Sequence, residues 1–226
     1  MKLRFFNLLL IFLPIIFLEC SPPKKALSNN DSKLVQNLLI FPTYSKISFI
    51  EKGDKRVESE SFSGEAESEI KTQLINYIPS AVTKKFLESN PTLKENINTS
   101  GIKLIKSLKG SLSPKKVEVP GFLLNILDSL DQDYGLLIVQ DGFTRTSENL
   151  KTQYIKRKEI GLATLGFYNT EPYASYSVMI GVLIDKKRNR ISMYKELYWR
   201  NREPNDKFVI RSQIRDIILY YFQTPN

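Results

Sequence analysis

The chain has 226 residues and a net charge of +9, with 33 Lys and Arg against 24 Asp and Glu. A hydrophobic content of 42% and an aromatic content of 11% suit one folded domain with a real core. The chain has no His and a single Cys. This composition excludes His-dependent nucleophile pairs, imidazole bases, nearly all familiar zinc sites and an intrachain disulfide.

The first 19 residues have the order of a secretory signal peptide. Lys2 and Arg4 precede an apolar run over residues 5–18. This run is shorter than the about 20 apolar residues that a membrane-spanning helix needs. We therefore predict a signal peptide over residues 1–19. Its removal takes away Lys2, Arg4 and Glu19, which lowers the net charge from +9 to +8.

Cys20 follows the apolar run directly, and this ending resembles the lipobox of bacterial lipoproteins. Glu19 departs from that pattern, because a small residue usually precedes the lipidated cysteine. We predict lipidation at Cys20; the alternative is an incidental Cys at the end of a signal peptide or signal anchor. Residues 20–36 are polar and interrupted by Pro22 and Pro23, which indicates a flexible tether.

Residues 37–226 are predicted to form a single domain that begins with a short buried strand over residues 38–42. Residues 51–61 are typical of an edge strand or loop. A helical period then runs from residue 63 or 64 to residue 86, and Pro79 is expected to kink or split it. Asn90 and Pro91 are expected to end this helix.

The middle of the chain alternates short elements with connections. Residues 92–116 are predicted to hold one short element in a long connection. Pro120 is expected to open a compact helix. Residues 133–135 then turn into a buried strand over residues 136–139, which continues outward to residue 146.

The strongest local pattern covers residues 176–199, where two alternating runs flank a turn at residues 185–189 and predict a long antiparallel hairpin. Residues 161–168 before it are predicted as a strand or a loop. Asn205 or Asp206 is expected to cap a final helix. Four apolar residues of the second run are predicted to share one face: Ile191, Met193, Leu197 and Trp199.

This order predicts an α/β fold. We expect a mixed sheet of about four to six strands with a long C-terminal antiparallel hairpin, flanked by about three to four helices. With His absent, carboxylates are the main acid–base groups left. The candidates are Asp128, Asp131, Asp133 and Asp141. Two of them could serve a glycosidase if they shared a cleft, whereas turn and solvent contacts are the alternative.

Two basic clusters are candidate contacts for an anionic surface. The first comprises Lys156, Arg157 and Lys158, and the second, at the predicted hairpin tip, comprises Lys186, Lys187, Arg188 and Arg190. In an exported protein such clusters would meet anionic lipid or wall polymer rather than nucleic acid. The alternative is a solvated tip that keeps a strand edge from pairing.

With its elements placed, the chain resembles a superfamily of bacterial envelope lipoproteins that includes the curli-secretion channel lipoprotein and the activator of a penicillin-binding protein. The matching segments, in order, are residues 38–42, 70–86, 122–130, 133–136 and 176–199. They span about residues 38–222. The resemblance implies a non-enzymatic domain that docks on envelope partners or assembles with itself, and it carries over no catalytic residue.

We therefore predict an exported, non-enzymatic protein of the bacterial cell envelope, either periplasmic or surface-exposed. It would be held to the membrane by a lipid at Cys20 and would act through an envelope protein partner or self-association. It would need no cofactor or metal and bind no nucleic acid. Two other functions stay open: a secreted carboxylate-dependent hydrolase, and a basic module that binds anionic lipid or wall polymer.

Overall fold

A twelve-residue strand, β5 (Tyr134–Arg145), is the centre of the computed structural model, which describes residues 35–111, 113–167 and 171–222. One edge of β5 pairs in parallel with two consecutive strands, β1 (Asn37–Ile40) and β2 (Tyr44–Ile50). The other edge pairs antiparallel with β6 (Ser175–Asp185). The strand β5 therefore lies between the parallel and the antiparallel parts of the sheet.

Three further strands complete a seven-stranded mixed sheet within the described ranges. A short strand, β3 (Arg56–Glu58), pairs antiparallel with β2, and β4 (Thr83–Phe86) pairs in parallel with β1. The last strand, β7 (Arg190–Arg200), forms the hairpin with β6. The predicted α/β class, mixed sheet and C-terminal hairpin are confirmed, and the described part of the chain has more strands than predicted.

Helices lie on both faces of this sheet. The five α-helices of the described ranges are α1 (Glu60–Tyr77), α2 (Pro91–Gly110), α3 (Gly121–Ser129), α4 (Ser147–Ala163) and α5 (Lys207–Phe222). On the first face, α1 and α5 pack over a core that includes Leu136 and Ile138. On the second face, α2 and α3 pack over a core that includes Leu137 and Val139. Consecutive apolar residues of β5 thus serve the two cores in alternation.

The predicted helix through residue 86 is wrong beyond Pro79. The helix α1 ends at Tyr77, just before Pro79, and Thr83 begins the edge strand β4. Proline has no N–H and cannot continue the helical ladder. The backbone N–H of Thr83 donates instead to the carbonyl of Gln36, which extends the sheet.

The prediction of one short element within residues 92–116 is also wrong, because α2 is 20 residues long. The Asn90 side chain accepts a hydrogen bond from the Leu93 N–H, and Pro91 occupies the first turn. Asn90 and Pro91 therefore start a helix rather than end one. Gly101 interrupts the sequence pattern because a side chain there has no room: a Cβ would lie 2.8 Å from the Leu137 side chain.

Two smaller expectations need correction. The register between β6 and β7 shifts near Leu183 and Ile184, which places Ile191 in the second core and Met193 in the first. These two residues therefore do not share a face. Residues 161–163 belong to the end of α4 rather than to a strand or loop. The cap on the last helix is confirmed, since Asp206 Oδ1 accepts from the N–H groups of Phe208 and Val209.

The signal peptide predicted over residues 1–19, the lipidation at Cys20 and all but the end of the tether lie outside the described residues. Within the described ranges, no helix combines the length and the apolar composition that crossing a bilayer requires. The assignment of residues 37–226 to a single domain stays a prediction.

Candidate functional site

The helices on the second face cover only half of the sheet, and aromatic side chains lie on the other half. Beyond Val139, β5 carries Phe143 on this face, and Phe143 lies opposite Tyr176 of β6. Tyr198 of β7 lies one rung closer to the core and is 47% exposed. We call Phe143, Tyr176 and Tyr198 the aromatic platform. Side chains along a strand alternate between the two faces of the sheet, and these three residues, one from each of three adjacent strands, lie on the same face.

The rings of the aromatic platform contact one another across the strands. The centroids of Phe143 and Tyr176 lie 5.6 Å apart with an interplanar angle of 23°, which is a stacked arrangement. The centroids of Tyr176 and Tyr198 lie 6.1 Å apart with their planes tilted by 46°. Such pairs stabilise each other beyond simple burial. These contacts fix the relative positions of the three rings.

Two guanidinium groups border the platform. Arg145 lies two residues after Phe143 on β5, and its Cζ atom is 5.2 Å from the centroid of the Phe143 ring. Arg200 lies opposite Tyr176 in the hairpin, and its Cζ atom is 4.7 Å from the centroid of the Tyr173 ring. Arginine stacks on aromatic faces and keeps its charge at any physiological pH. The surface thus combines rings with fixed positive charge.

A buried carboxylate fixes the inner edge of the platform. The side chain of Glu196 on β7 is 2% exposed, and its Oε1 atom lies 2.5 Å from Lys109 Nζ at the end of α2. The hydroxyl of Tyr194 donates to Glu196 Oε2 at 3.0 Å, and the hydroxyl of Tyr198 donates to Oε1. Glu196 therefore positions the Tyr198 ring at the boundary between covered and open sheet.

The ionisation of this group is set by burial and by its partners. Burial works to raise the pKa of Glu196, but the Lys109 ammonium and the two tyrosine hydroxyls outweigh it and hold this pKa below its ordinary value. Burial, followed by contact with Glu196, raises the pKa of the Tyr198 hydroxyl. At neutral pH the carboxylate is charged and the phenol is neutral. The cluster is therefore suited to holding a surface in place rather than to moving protons.

Ion pairs balance the charges on the neighbouring strands. Lys46 Nζ lies 3.1 Å from Glu58 Oε2, and Arg56 Nη2 lies 2.8 Å from Asp141 Oδ1. These side chains are roughly half exposed, so the pairs are screened by solvent and contribute little to stability. They leave Arg200 as an exposed cation beside the rings.

The four candidate carboxylates do not share one cleft. Asp128 Oδ1 lies 3.3 Å from Lys186 Nζ, and Asp133 Oδ2 lies 3.0 Å from Lys187 Nζ, at the end where β5 begins. Asp131 is exposed in the turn between them. Asp141 lies on β5, eight residues after Asp133, which is a separation of about 26 Å at the rise of a strand. The structure separates Asp141 from the other three.

The cations of the hairpin tip lie beside carboxylates. Besides the contacts of Lys186 and Lys187, the buried Asp185 carboxylate lies 3.2 Å from Arg188 Nη1 and 3.8 Å from Arg190 Nε. The other cluster, Lys156, Arg157 and Lys158, lies on α4. The two clusters occupy opposite ends of the sheet, because Asp185 pairs with Tyr134 while α4 follows Arg145. Their contact with an anionic surface stays a prediction.

Part of the aromatic platform has a signal in the sequence. Tyr194, Glu196 and Tyr198 alternate along one strand, so a shared face is predictable once the hairpin is assigned. The contribution of Lys109 has no such signal, because it arrives from a helix that the sequence pattern did not indicate. Trp199 is half-buried and belongs to neither core, although its alternation favoured a core position.

No protein-family model and no curated protein matches the chain. Among solved structures, it is similar to the PelC dodecamer from Paraburkholderia phytofirmans, with 11% identity, a TM-score of 0.39 and coverage of 91% of this chain and 96% of that one. It is also similar to the LpoB C-terminal domain from Salmonella enterica, with 11% identity, a TM-score of 0.29 and coverage of 72% and 81%. The lipoprotein GNA1162 from Neisseria meningitidis gives 8% identity, a TM-score of 0.31 and coverage of 80% and 95%. The similar structures thus include a bacterial lipoprotein, and at these values they carry no activity over to this chain.

Proposed function

We propose that this chain is an exported, lipid-anchored protein of the bacterial envelope that acts without catalysis, by binding another protein through the aromatic platform. The signal-peptide pattern of residues 1–19 supports export, and the position of Cys20 supports the anchor. The observation that carries the binding role is the open half of the sheet, where Phe143, Tyr176 and Tyr198 form a preorganised surface.

The composition of this surface favours a protein partner. Tyrosine and arginine are among the residues that most often dominate the binding energy of protein interfaces, and the platform with its bordering arginines brings them into one patch. Stacked rings lose little conformational freedom on binding, because their positions are already fixed. With Arg200 exposed at its border, the platform is complementary to a surface that presents apolar and acidic side chains.

The topology supports the same role for a tethered domain. The tether would enter the sheet at β1, where Leu38 pairs with Tyr134 at the start of β5. Phe143 lies nine residues further along β5, about 30 Å away at the rise of a strand. An anchor at Cys20 would therefore enter at the end of the sheet opposite the platform, and the predicted tether of residues 20–36 would let the domain turn relative to the membrane.

Crosslinking on intact envelopes tests this function. The full chain and its Tyr198→Ala and Arg200→Ala variants are compared with Ile75→Ala, which removes a large side chain of matched exposure (46%) from α1. We expect the platform variants to reduce partner recovery at least tenfold, as the loss of an interface hot spot does. Equal recovery from all three variants, or no partner together with a measurable hydrolase activity, contradicts the proposal.

The anchor has its own test. Mass spectrometry of the mature N-terminus is expected to show a lipid-modified Cys20 as the first residue. A mature chain that begins at any other residue contradicts the lipid anchor, and it leaves the role of the aromatic platform to the crosslinking experiment.

A further inference from the structure

The segment 147–167, which we call the arm, exposes more large apolar side chains than any other described segment of similar length. It comprises α4 and the turn that follows it. Asn149 is the one buried residue described in the helix. Large apolar side chains are exposed along the rest of the arm: Tyr154, Ile155, Ile160, Leu162, Leu165 and Phe167. Exposed apolar groups in such number indicate a contact surface rather than a core.

A polar network holds the root of the arm to the domain. Asn149 Nδ2 donates to the carbonyl of Glu51 at 2.7 Å and to Asp54 Oδ1 at 3.1 Å. Arg145 Nη1 donates to Asn149 Oδ1 at 2.7 Å, and Gln153 Nε2 donates to Asp54 Oδ1 at 2.7 Å. The first two turns are thus fixed by hydrogen bonds, which leaves the apolar side chains beyond them for another contact.

The far end of the arm is closed by a tight cap. The N–H of Gly166 donates to the carbonyl of Gly161, and the N–H of Leu165 donates to that of Leu162, which is the Schellman pattern. Leu165 takes the left-handed position of this motif, with φ 50°, where glycine is the usual residue. A leucine that is 88% exposed gains no packing there to offset the cost. Strain of this kind at an exposed apolar residue indicates a functional contact.

Along the arm, a group of charged residues is followed by a group of apolar residues. Lys156, Arg157 and Lys158 form a basic collar. Glu159 adjoins the collar, and Lys156 Nζ lies 3.8 Å from Asp54 Oδ2. Beyond the collar lies an apolar tip, which consists of Leu162, Leu165 and Phe167. Leu162 is about 6 Å from Lys158 along the helix axis, and the other two follow it. This spacing matches the distance from lipid headgroups to the upper part of the acyl chains.

We propose that the arm inserts its apolar tip end-on into an anionic lipid bilayer, with the basic collar at the level of the headgroups. Cations near an anionic surface strengthen binding roughly fivefold each. The side chains of Leu165 and Phe167 are 88% and 91% exposed, so they enter the bilayer without rearrangement. This contact requires no protein partner; the root of the arm adjoins the aromatic platform, because Arg145 stacks on Phe143 and also donates to Asn149.

The arrangement of the apolar residues favours a bilayer over a protein groove. A helix that binds a groove carries its apolar residues on one side. In the arm, Ile160 points about 140° away from Ile155 and about 160° away from Leu162 around the axis. Apolar groups on opposite sides suit a medium that surrounds the tip.

A second copy of the chain is a poorer match. One cleft of the described domain, of about 360 Å³, is lined by Lys71, Lys94 and Glu67 among others, and Glu67 is already paired with Lys94. Lys71 at that cleft would repel the basic collar. Another cleft, of about 450 Å³, has both Lys103 and Glu118 in its lining and so offers the collar no net negative charge. An anionic bilayer supplies the opposite charge and the apolar depth together.

The full chain, reconstituted into vesicles, allows a direct test at the tip. Phe167→Trp is made in a Trp199→Phe background, so that the introduced indole is the single reporter in the chain. We expect its emission to shift to the blue and to be quenched by brominated acyl chains in vesicles that contain phosphatidylglycerol. Phe208→Trp in the same background is the control, because Phe208 is exposed on α5 outside the arm; its emission is expected to stay unquenched.

Charge reversal completes the test. Lys158→Glu, which removes a positive charge and adds a negative one, is expected to reduce the quenching at least tenfold in anionic vesicles. The proposal is overturned if the tip indole stays unshifted in anionic vesicles, or if charge reversal leaves the quenching unchanged. A blue shift that appears without lipid and grows with protein concentration would also overturn it, because the tip would then dock on a second copy. None of these results bears on the crosslinking test of the aromatic platform.

Discussion

Lys109 Nζ lies 2.5 Å from Glu196 Oε1, and this contact ties the last turn of α2 to β7 across the edge of the second core. The carboxylate is buried, whereas the lysine side chain is partly exposed. The pair therefore fixes where the helical cover of the sheet ends. It also positions Tyr198, whose hydroxyl donates to the same carboxylate.

Removal of the cation is expected to destabilise the domain. In Lys109→Ala the buried Glu196 carboxylate loses its ionic partner, which costs about 1–3 kcal/mol. Because the lysine is partly solvated, we expect the lower part of that range. Urea unfolding measures the change. Lys106→Ala, at an exposed position of the same helix, should stay within about 0.5 kcal/mol of the wild type; an equal loss in both variants would argue against the role of the pair.

The same carboxylate makes stability depend on pH. The pKa of Glu196 in the folded chain lies below the ordinary value of 4.5, so its contribution is present above about pH 4.5 and is lost as pH falls through the folded pKa. We expect the free energy of unfolding of the wild type to fall more steeply below pH 4.5 than that of Glu196→Gln. Parallel pH profiles for the two proteins would contradict this assignment.

Close packing of α5 on the sheet depends on Gly181. A Cβ at this position of β6 would lie 2.5 Å from Ile217 Cγ2. We expect Gly181→Ala to cost about 1–3 kcal/mol, as overpacking does. Gly64→Ala in α1, where a Cβ meets nothing within 4 Å, should instead add up to about 1 kcal/mol. Thermal unfolding distinguishes the two, since the same substitution should move the melting temperature in opposite directions.

Elements with a strong local period could be predicted from the sequence. The alternation of the β6–β7 hairpin and the continuous apolar run of β5 leave few other structures open. The helix α2 was not predicted, because Gly101 breaks its sequence pattern. The glycine is required by a tertiary contact, the close approach of the Leu137 side chain. The strand β4 was not predicted, because its apolar residues continue the helical spacing of α1. Its structure is decided instead by pairing with β1.

The candidate site was predictable only where its residues share a strand. Tyr194, Glu196 and Tyr198 follow the period of β7, but the neighbours that complete the surface come from β5 and α2. The open half of the sheet depends on where α2 and α3 end, which is a property of packing. No local pattern carries that information.

The root of the arm offers a prediction about local motion. Asn149→Ala removes the hydrogen bonds to Glu51 and Asp54 that hold α4 to the domain. Hydrogen exchange is expected to speed up at least tenfold in α4 and to stay unchanged in β5 and β6. Thr152→Ala is the control, because the Thr152 hydroxyl donates within α4 itself, to the carbonyl of Glu148. Faster exchange throughout the sheet would show that Asn149 supports the whole fold rather than the arm.

Replacement of leucine by glycine is expected to have opposite effects at two positions of the arm, because the backbone is strained at only one of them. Leu165→Gly relieves a left-handed backbone that costs a leucine about 1–2 kcal/mol, and it removes a side chain that packs on nothing described. Part of the gain is offset by the greater freedom of glycine in the unfolded chain, so we expect α4 to gain up to about 1 kcal/mol. Leu162→Gly, three residues earlier within the helix, should cost about 1 kcal/mol. Hydrogen exchange of the α4 amides measures both, because the arm can open without unfolding the sheet; a loss of protection in Leu165→Gly would mean that this leucine stabilises the arm.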